Sequence, residues 1–136
     1  MDKVQHLPVV SALRKLGLAA LVAVAAWGPM AASAKGPVDG VATVALVTLP
    51  AEARQIQRLI LSGGPFAHAK DGVVFGNFER RLPRRERGFY REYTVDTPGS
   101  RDRGARRIVC GGRQPTRPDA CYYTADHYAS FKLIAQ

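Results

Sequence analysis

Beyond residue 34, only one stretch of this chain carries helical periodicity, and Gly and Pro cut the remainder into strand-length pieces. Ala53, Ile56, Leu59 and Ile60 recur at three- and four-residue spacing, while Glu52, Arg54, Gln55, Gln57 and Arg58 mostly face out. Pro50 suits a first helical turn and Ser62-Gly63-Gly64-Pro65 stops the pattern, so the spacing predicts a helix from Pro50 to about Leu61. Val41–Leu49, rich in valine and threonine, reads as a strand before it. After it, Val73–Phe75, Gly88–Val95, Ala105–Cys110, Cys121–Ala125 and Ser130–Ile134 are strand candidates, with Thr97-Pro98-Gly99-Ser100 as a turn. One N-terminal helix followed by about five closely spaced strands implies an α+β fold, the helix packed on an antiparallel sheet.

Residues 1–34 read as a secretory signal rather than as fold. Lys3, Arg14 and Lys15 precede an uncharged apolar run from Leu16 to Trp27, and Ala32-Ser33-Ala34 supplies a cleavage site. The apolar core is short for a membrane span, so residues 35–136 are expected as one secreted or periplasmic domain with no membrane attachment after cleavage. That part carries 17 basic and 10 acidic residues, a net charge of +7, and 14 of the basic residues are arginine. Arginine's planar fork suits phosphate oxygens, which points toward nucleic acid, although solubility alone would also explain a basic exported protein. Export makes a Cys110–Cys121 disulfide the first expectation, closing a turn-rich loop, with two free thiols as the alternative. No histidine or third cysteine stands at ligand spacing for zinc, and no cofactor motif is present.

The chemistry-bearing residues lie between Glu92 and Tyr128. Glu92 sits in the aromatic strand candidate Tyr90-Arg91-Glu92-Tyr93-Thr94, where alternation puts Tyr90, Glu92 and Thr94 on one face and Phe89, Arg91, Tyr93 and Val95 on the other. A cross-strand ion pair with an arginine is the ordinary explanation of such a carboxylate. Arg103 and Arg107 have equal parity, so an extended segment would aim both the same way, and two guanidiniums side by side call for an anion. His127, flanked by Asp126 and Tyr128, is one of two histidines beyond residue 34. The other, His68, lies in a loop with no partner motif and reads as surface or subsite. One carboxylate, one imidazole and paired guanidiniums are what in-line cleavage of a phosphodiester by an internal 2′-hydroxyl requires: base, acid and charge stabilisers.

The string Arg91-Glu92-Tyr93-Thr94-Val95, then Thr97-Pro98-Gly99, Arg101-x-Arg103-Gly104-x-Arg106-Arg107-Ile108 and Tyr122-Tyr123-Thr124-x-Asp126-His127-Tyr128 resembles the microbial guanyl-specific ribonucleases of the barnase family. Within that family it is most similar to the ribonuclease Sa-like enzymes. Asp71-Gly72-Val73-Val74-Phe75 and Leu82-Pro83 fit the same pattern, so the likeness spans about residues 41–134. The resemblance implies Glu92 as general base, His127 as general acid, and Arg103 and Arg107 as stabilisers of the phosphorane. It further implies Glu79 as acceptor for the guanine ring N–H and amino group, and the Asn77 and Phe78 amides as donors to the guanine oxygen. Phe75 and Tyr128 would line the base and phosphate pockets.

Three departures from the pattern stand out. Gly76 and Phe78 replace larger polar or charged residues, and an aromatic at Phe78 suits stacking over guanine. Ala45 occupies one end of the usual terminal disulfide. Cys110 and Cys121 form a new pair.

The expected activity is metal-independent cleavage of single-stranded RNA after guanosine, through a 2′,3′-cyclic phosphate to a 3′-phosphate, by a monomer without cofactor. A barstar-like acidic protein is the inhibitor the resemblance suggests, if the domain serves as a toxin rather than for scavenging. The rival is a non-catalytic nucleic-acid binder using the arginine surface alone, which would bind RNA and DNA alike.

Overall fold

The computed structural model describes residues 40–136. The signal assigned to residues 1–34 lies outside the described residues. Strand β1 (Ala42–Ala45) leads through a 3-10 turn (Leu46–Thr48) into helix α1 (Ala51–Ser62). Strands β2 (Tyr90–Thr94), β3 (Arg107–Gly111), β4 (Ala120–Thr124) and β5 (Lys132–Ala135) follow. They form one five-stranded sheet in the order β1-β5-β4-β3-β2. The pairs from β2 to β5 are antiparallel, as expected, whereas β1 joins the sheet parallel to β5.

The strands are trimmed relative to the sequence reading, most at Val41–Leu49 and Val73–Phe75. The Thr48 hydroxyl donates to the Ala45 carbonyl at 2.8 Å, which tightens the chain after β1 and turns Leu49 into the core. Val73–Phe75 docks along β2 without becoming a full strand. The Glu92 amide donates to the Val73 carbonyl at 3.0 Å and the Phe75 amide to Tyr90 at 2.9 Å, with Val74 bridged to Arg91. Asn77, at φ 49, then turns the chain away. The helix ends as its sequence implies. Gly63 is left-handed at φ 83, and the amides of Gly63 and Gly64 donate to the carbonyls of Ile60 and Leu59, satisfying the last turn.

The sheet divides its side chains by the parity read from β2. On the helix side, Leu49, Ala53 and Ile60 pack against Tyr93, Val95, Ile108, Tyr123 and Ile134. The Cys110–Cys121 disulfide forms within this core, joining residues directly opposite across β3 and β4 with their Cα atoms 4.1 Å apart. On the other side, Leu82, Tyr90, Val109, Tyr122 and Phe131 form a second cluster, flanked by Phe75 and Tyr128. Beside it the same face turns polar. Arg107 is in register with Thr94 on one neighbour and Thr124 on the other, and Glu92 stands one step along β2 from that row. Glu92 and Arg107 therefore stand on the face that the helix leaves open.

Gln57 departs from the predicted helix pattern. It is 2% exposed rather than outward-facing, because α1 lies directly over the disulfide. Its Nε2 donates to Cys121 Sγ at 3.6 Å, and its Oε1 has no partner among the described residues. A buried, unsatisfied carbonyl oxygen costs about 1–3 kcal/mol, and an apolar side chain of the same size removes that cost. Gln57→Leu is thus expected to raise the free energy of unfolding by about 1 kcal/mol in urea titration. A loss of stability would show that the amide–sulfur contact outweighs the orphaned oxygen.

Candidate active site

Glu92 is held from two sides. Arg103 Nη2 donates to its Oε1 at 3.0 Å, and the Tyr128 hydroxyl donates to its Oε2 at 2.5 Å. The carboxylate is 12% exposed and the guanidinium 25%, so the ion pair is partly desolvated and stronger than a surface pair. Burial pushes the Tyr128 hydroxyl up to about 12, with the hydrogen bond and charge of Glu92 adding to the effect. Tyr128 is therefore a neutral donor at ordinary pH.

The two arginines do not lie on one extended strand, as their parity suggested. Arg107 opens β3, while Arg103 precedes it on a loop that reverses at Gly104, φ 63. A Cβ at Gly104 would stand 2.7 Å from the Thr97 hydroxyl oxygen, so glycine is required twice over. Asp102 secures this turn. It accepts the Gly104 amide and the Ser100 hydroxyl, each at 2.8 Å, and these bonds hold its carboxyl below the usual range. From the loop Arg103 still reaches the site, donating through Nε to Thr94 Oγ1 at 2.7 Å. Arg107 is 2% exposed. Its Nη1 donates to the carbonyls of Arg106 and Gly104, at 2.7 and 2.9 Å, and its Nε is buried without a partner among the described residues. Its guanidinium carbon lies 6.0 Å from the Tyr128 ring centre. A cation fixed so deeply with an unsatisfied donor sets up a strong positive potential on this face.

His127 enters from the loop after β4. Asp126 organises that loop rather than the imidazole. Its Oδ1 accepts the Thr124 hydroxyl at 2.8 Å and the Ser130 amide at 2.9 Å, and its Oδ2 accepts the Ser130 hydroxyl at 2.6 Å. The Ser130 hydroxyl first, then the Ser130 amide and the Thr124 hydroxyl, draw its carboxyl down to about 2. The His127 amide donates to Ala105 at 3.0 Å and the Tyr128 amide to Thr124 Oγ1 at 3.1 Å. These ties hold His127 and Tyr128 at φ 54 and 71. The other non-glycine residues with positive φ among the described residues are Asn77 and Arg80, on the loop facing them. Backbone strain is concentrated in the two loops that frame one cleft, where it is worth about 1–3 kcal/mol per residue.

That cleft, of about 430 Å³, is lined by Phe75, Asn77, Phe78, Glu79, Glu92, His127 and Tyr128. It gathers the predicted base-binding residues with the predicted acid and base. Arg103 and Arg107 support it through Glu92 and from beneath Tyr128. The Asn77 side chain clamps its loop with two bonds to Leu82, at 2.9 and 3.1 Å. The Asn77 and Phe78 amides have no protein acceptor among the described residues. Phe75 stacks on Tyr128 with centroids 5.1 Å apart, joining the two loops. Phe78 is 94% exposed at the rim, and its ring lies against Gly76, so close that a Cβ there would require the ring to move.

Arg81 also lines the cleft and pairs with Glu79 at 3.3 Å, which sequence reasoning did not single out. The parity that marked Glu92 could equally have marked Thr94. His68 lies off the cleft and does have a partner, Asp96 Oδ1 at 2.7 Å.

Comparison with known proteins gives the family. A family model described as ribonuclease matches residues 32–135. Guanyl-specific ribonuclease Sa of Kitasatospora aureofaciens is 54% identical over 94 residues, covering 69% of this chain and 94% of that protein. Guanyl-specific ribonuclease St of Saccharopolyspora erythraea is 46% identical over 98 residues, covering 72% and 92%. The structure of ribonuclease Sa2 complexed with mononucleotides superposes with a TM-score of 0.65 at 45% identity, over 71% of this chain and 95% of that one. Ribonuclease Sa2 is also solved with guanosine-2′-cyclophosphate and with 3′-GMP, at 44% and 42% identity and TM-scores of 0.63 and 0.62. The chain belongs to the ribonuclease family, among relatives of the Sa type.

Proposed function

We propose that this chain is an exported, metal-independent endoribonuclease that cuts single-stranded RNA on the 3′ side of guanosine. The observation that carries the reading is that Glu92 and His127 line one cleft, with Arg103 on the carboxylate and Arg107 buried behind it. In the first step Glu92 takes the proton of the 2′-hydroxyl as its oxygen attacks phosphorus. Protonated His127 gives a proton to the departing 5′-oxygen, leaving a 2′,3′-cyclic phosphate. In the second step the roles reverse: His127 takes a proton from water, the water oxygen opens the ring, and Glu92 returns its proton to the 2′-oxygen. Arg103 and Arg107 stabilise the charge that builds on the phosphoryl oxygens, and Tyr128, held neutral, donates without exchanging its proton. Since the nucleophile belongs to the substrate, DNA would bind without reacting.

The naming of the near relatives as guanyl-specific, and the Sa2 complexes with a guanosine cyclophosphate and 3′-GMP, support the base preference and the order of products. In this reading Glu79 exchanges its exposed bond with Arg81 for the guanine N–H and amino groups. The free amides of Asn77 and Phe78 receive the guanine oxygen, and Phe78 closes over the ring. Only an unpaired guanine offers that edge, which favours single strands. The apolar run before Ala34 supports export, and the net charge of +7 on the exported part supports an acidic, barstar-like inhibitor as partner. Among the described residues no helix is long and apolar enough to cross a membrane. The domain is taken to act as a monomer.

The test is incubation with a short RNA containing one guanosine and with its DNA counterpart, in the presence of chelator, with products read by mass. One cut after guanosine, a transient cyclic phosphate and an inert DNA are expected. Glu92→Gln and His127→Gln should each lower turnover by about 10²–10⁴-fold. Cuts after every base would remove the guanine assignment, and inhibition by chelator would remove the metal-free route.

Asp126 gives a separate, pH-resolved outcome. Its folded carboxyl lies near 2, below the ordinary value of 3.8. Its contribution to stability is therefore full above about pH 4 and disappears as pH falls through about 2. Asp126→Asn should melt below the wild type at pH 5, with the gap closing by about pH 2. The same variant, by loosening His127, should lower kcat/KM about 10–100-fold at neutral pH. A gap in melting temperature independent of pH would contradict the assigned role of the charge.

A further inference from the structure

Five arginines fall within eight positions from Arg80 to Arg87, and Arg113 and Arg117 lie in the loop closed by the disulfide. The reaction as derived uses none of them except Arg81, through its bond to Glu79. The fold nevertheless places six of these seven along one path. From the cleft holding Glu92 and His127, a trough of about 670 Å³ passes Phe75 and Phe78 to Arg80, Arg84, Arg85 and Arg87. Through Arg85 and Glu86 it opens into a second trough of about 420 Å³, walled by Phe89, Arg113 and Arg117. The six arginines are all exposed. Against them stand Glu86 and Asp119, so the path carries a net charge of +4.

No carboxylate lies within 4.0 Å of any of the six among the described residues; the ion pairs there are His68–Asp96, Arg81–Glu79 and Arg103–Glu92. Scattered surface arginines need no partner, but these converge from two separate loops on shared concavities, which focus the potential. Arg85 lies over the Phe89 ring, 5.2 Å from its centre, an arrangement that orders the guanidinium at the junction. A flat anionic surface would not enter concave troughs. A flexible strand bearing one phosphate per nucleotide would, and the path leads away from the very cleft in which such a strand is cut.

We propose that this arginine-lined path is an extended backbone site, holding RNA phosphates outside the one being cleaved. It rests on the ribonuclease reading of the Glu92–His127 cleft and adds a preference for long substrates. Such a site leaves the chemical step alone and lowers KM for substrates that reach it, in a salt-dependent way. Each phosphate contact on a single strand contributes about 0.7 to the slope of log affinity against log salt.

The test compares the wild type with Arg85→Ser/Arg113→Ser/Arg117→Ser on two substrates, GpC and an RNA decamer with one guanosine, across a salt series. Arg58→Ser/Lys70→Ser/Lys132→Ser, at positions lining neither trough, controls for net charge. The expected result is GpC cleavage within about twofold of wild type, with decamer kcat/KM lowered tenfold or more at low salt, and a decamer salt slope shallower by about two. The control variant should match the wild type on the decamer to within a few-fold. Equal losses on both substrates, or none on the decamer, would overturn the proposal. So would retained decamer cleavage with lost binding to phosphatidylserine vesicles, which would make the path a membrane contact. A wild type that fails to cut GpC would instead bring down the ribonuclease reading itself.

Discussion

The arrangement turns on one partly buried carboxylate. Glu92 stands on the sheet face that α1 does not cover, gripped by Arg103 at 3.0 Å and by Tyr128 at 2.5 Å. Each grip ties the sheet to a different loop: Arg103 belongs to the turn before β3, and Tyr128 to the turn after β4. A carboxylate with both oxygens bonded is fixed in direction, as a general base must be. Removing Arg103 would leave the Glu92 charge in partial burial without its counter-ion, which is more costly than an exposed pair would suggest. The ordinary reading of Glu92 as a cross-strand ion pair and the catalytic reading are therefore compatible. The ion pair would hold the carboxylate in place for the role proposed.

Around this centre, rigidity is distributed unevenly. The helix side is apolar and cross-linked, with the disulfide beneath Gln57 and closely packed aliphatic and aromatic groups. The open side is built from loops whose strain is localised. Asn77, Arg80, His127 and Tyr128 adopt left-handed backbone, and the Asn77 side-chain amide and Asp126 carboxylate supply bonds that brace these loops. The apolar core thus supports loop conformations that local preference alone would not keep. The cleft falls between those loops, with the Phe75–Tyr128 stack joining its walls.

Much of this was readable from residue order. The spacing of Ala53, Ile56 and Ile60 located the helix, and Gly63-Gly64 located its end. Alternation in Tyr90–Thr94 put Glu92 on the face away from Tyr93 and Val95. The resemblance carried over Phe75, Asn77, Phe78 and Glu79 to the wall of the same cleft as His127. What escaped depends on partners distant in sequence. The parallel pairing of β1 with β5 joins opposite ends of the domain. Gln57 is buried because α1 crosses the disulfide, which helical periodicity cannot register. His68 and Asp96 meet from positions 28 residues apart. Arg103 reaches Glu92 from a glycine turn, although equal parity on a strand had suggested the same neighbour for a different reason.

Acid and base acting on opposite sides of one phosphorus atom is the claim with the most at stake. A crystal structure with 3′-GMP addresses it most directly. The account predicts the phosphate between the Glu92 carboxylate and the His127 imidazole, each within about 2.6–3.2 Å of a phosphate or 2′-oxygen, with Arg103 turned toward the anion. A phosphate seated elsewhere while this cleft stays open, or an imidazole directed away from the Glu92 side, would contradict it.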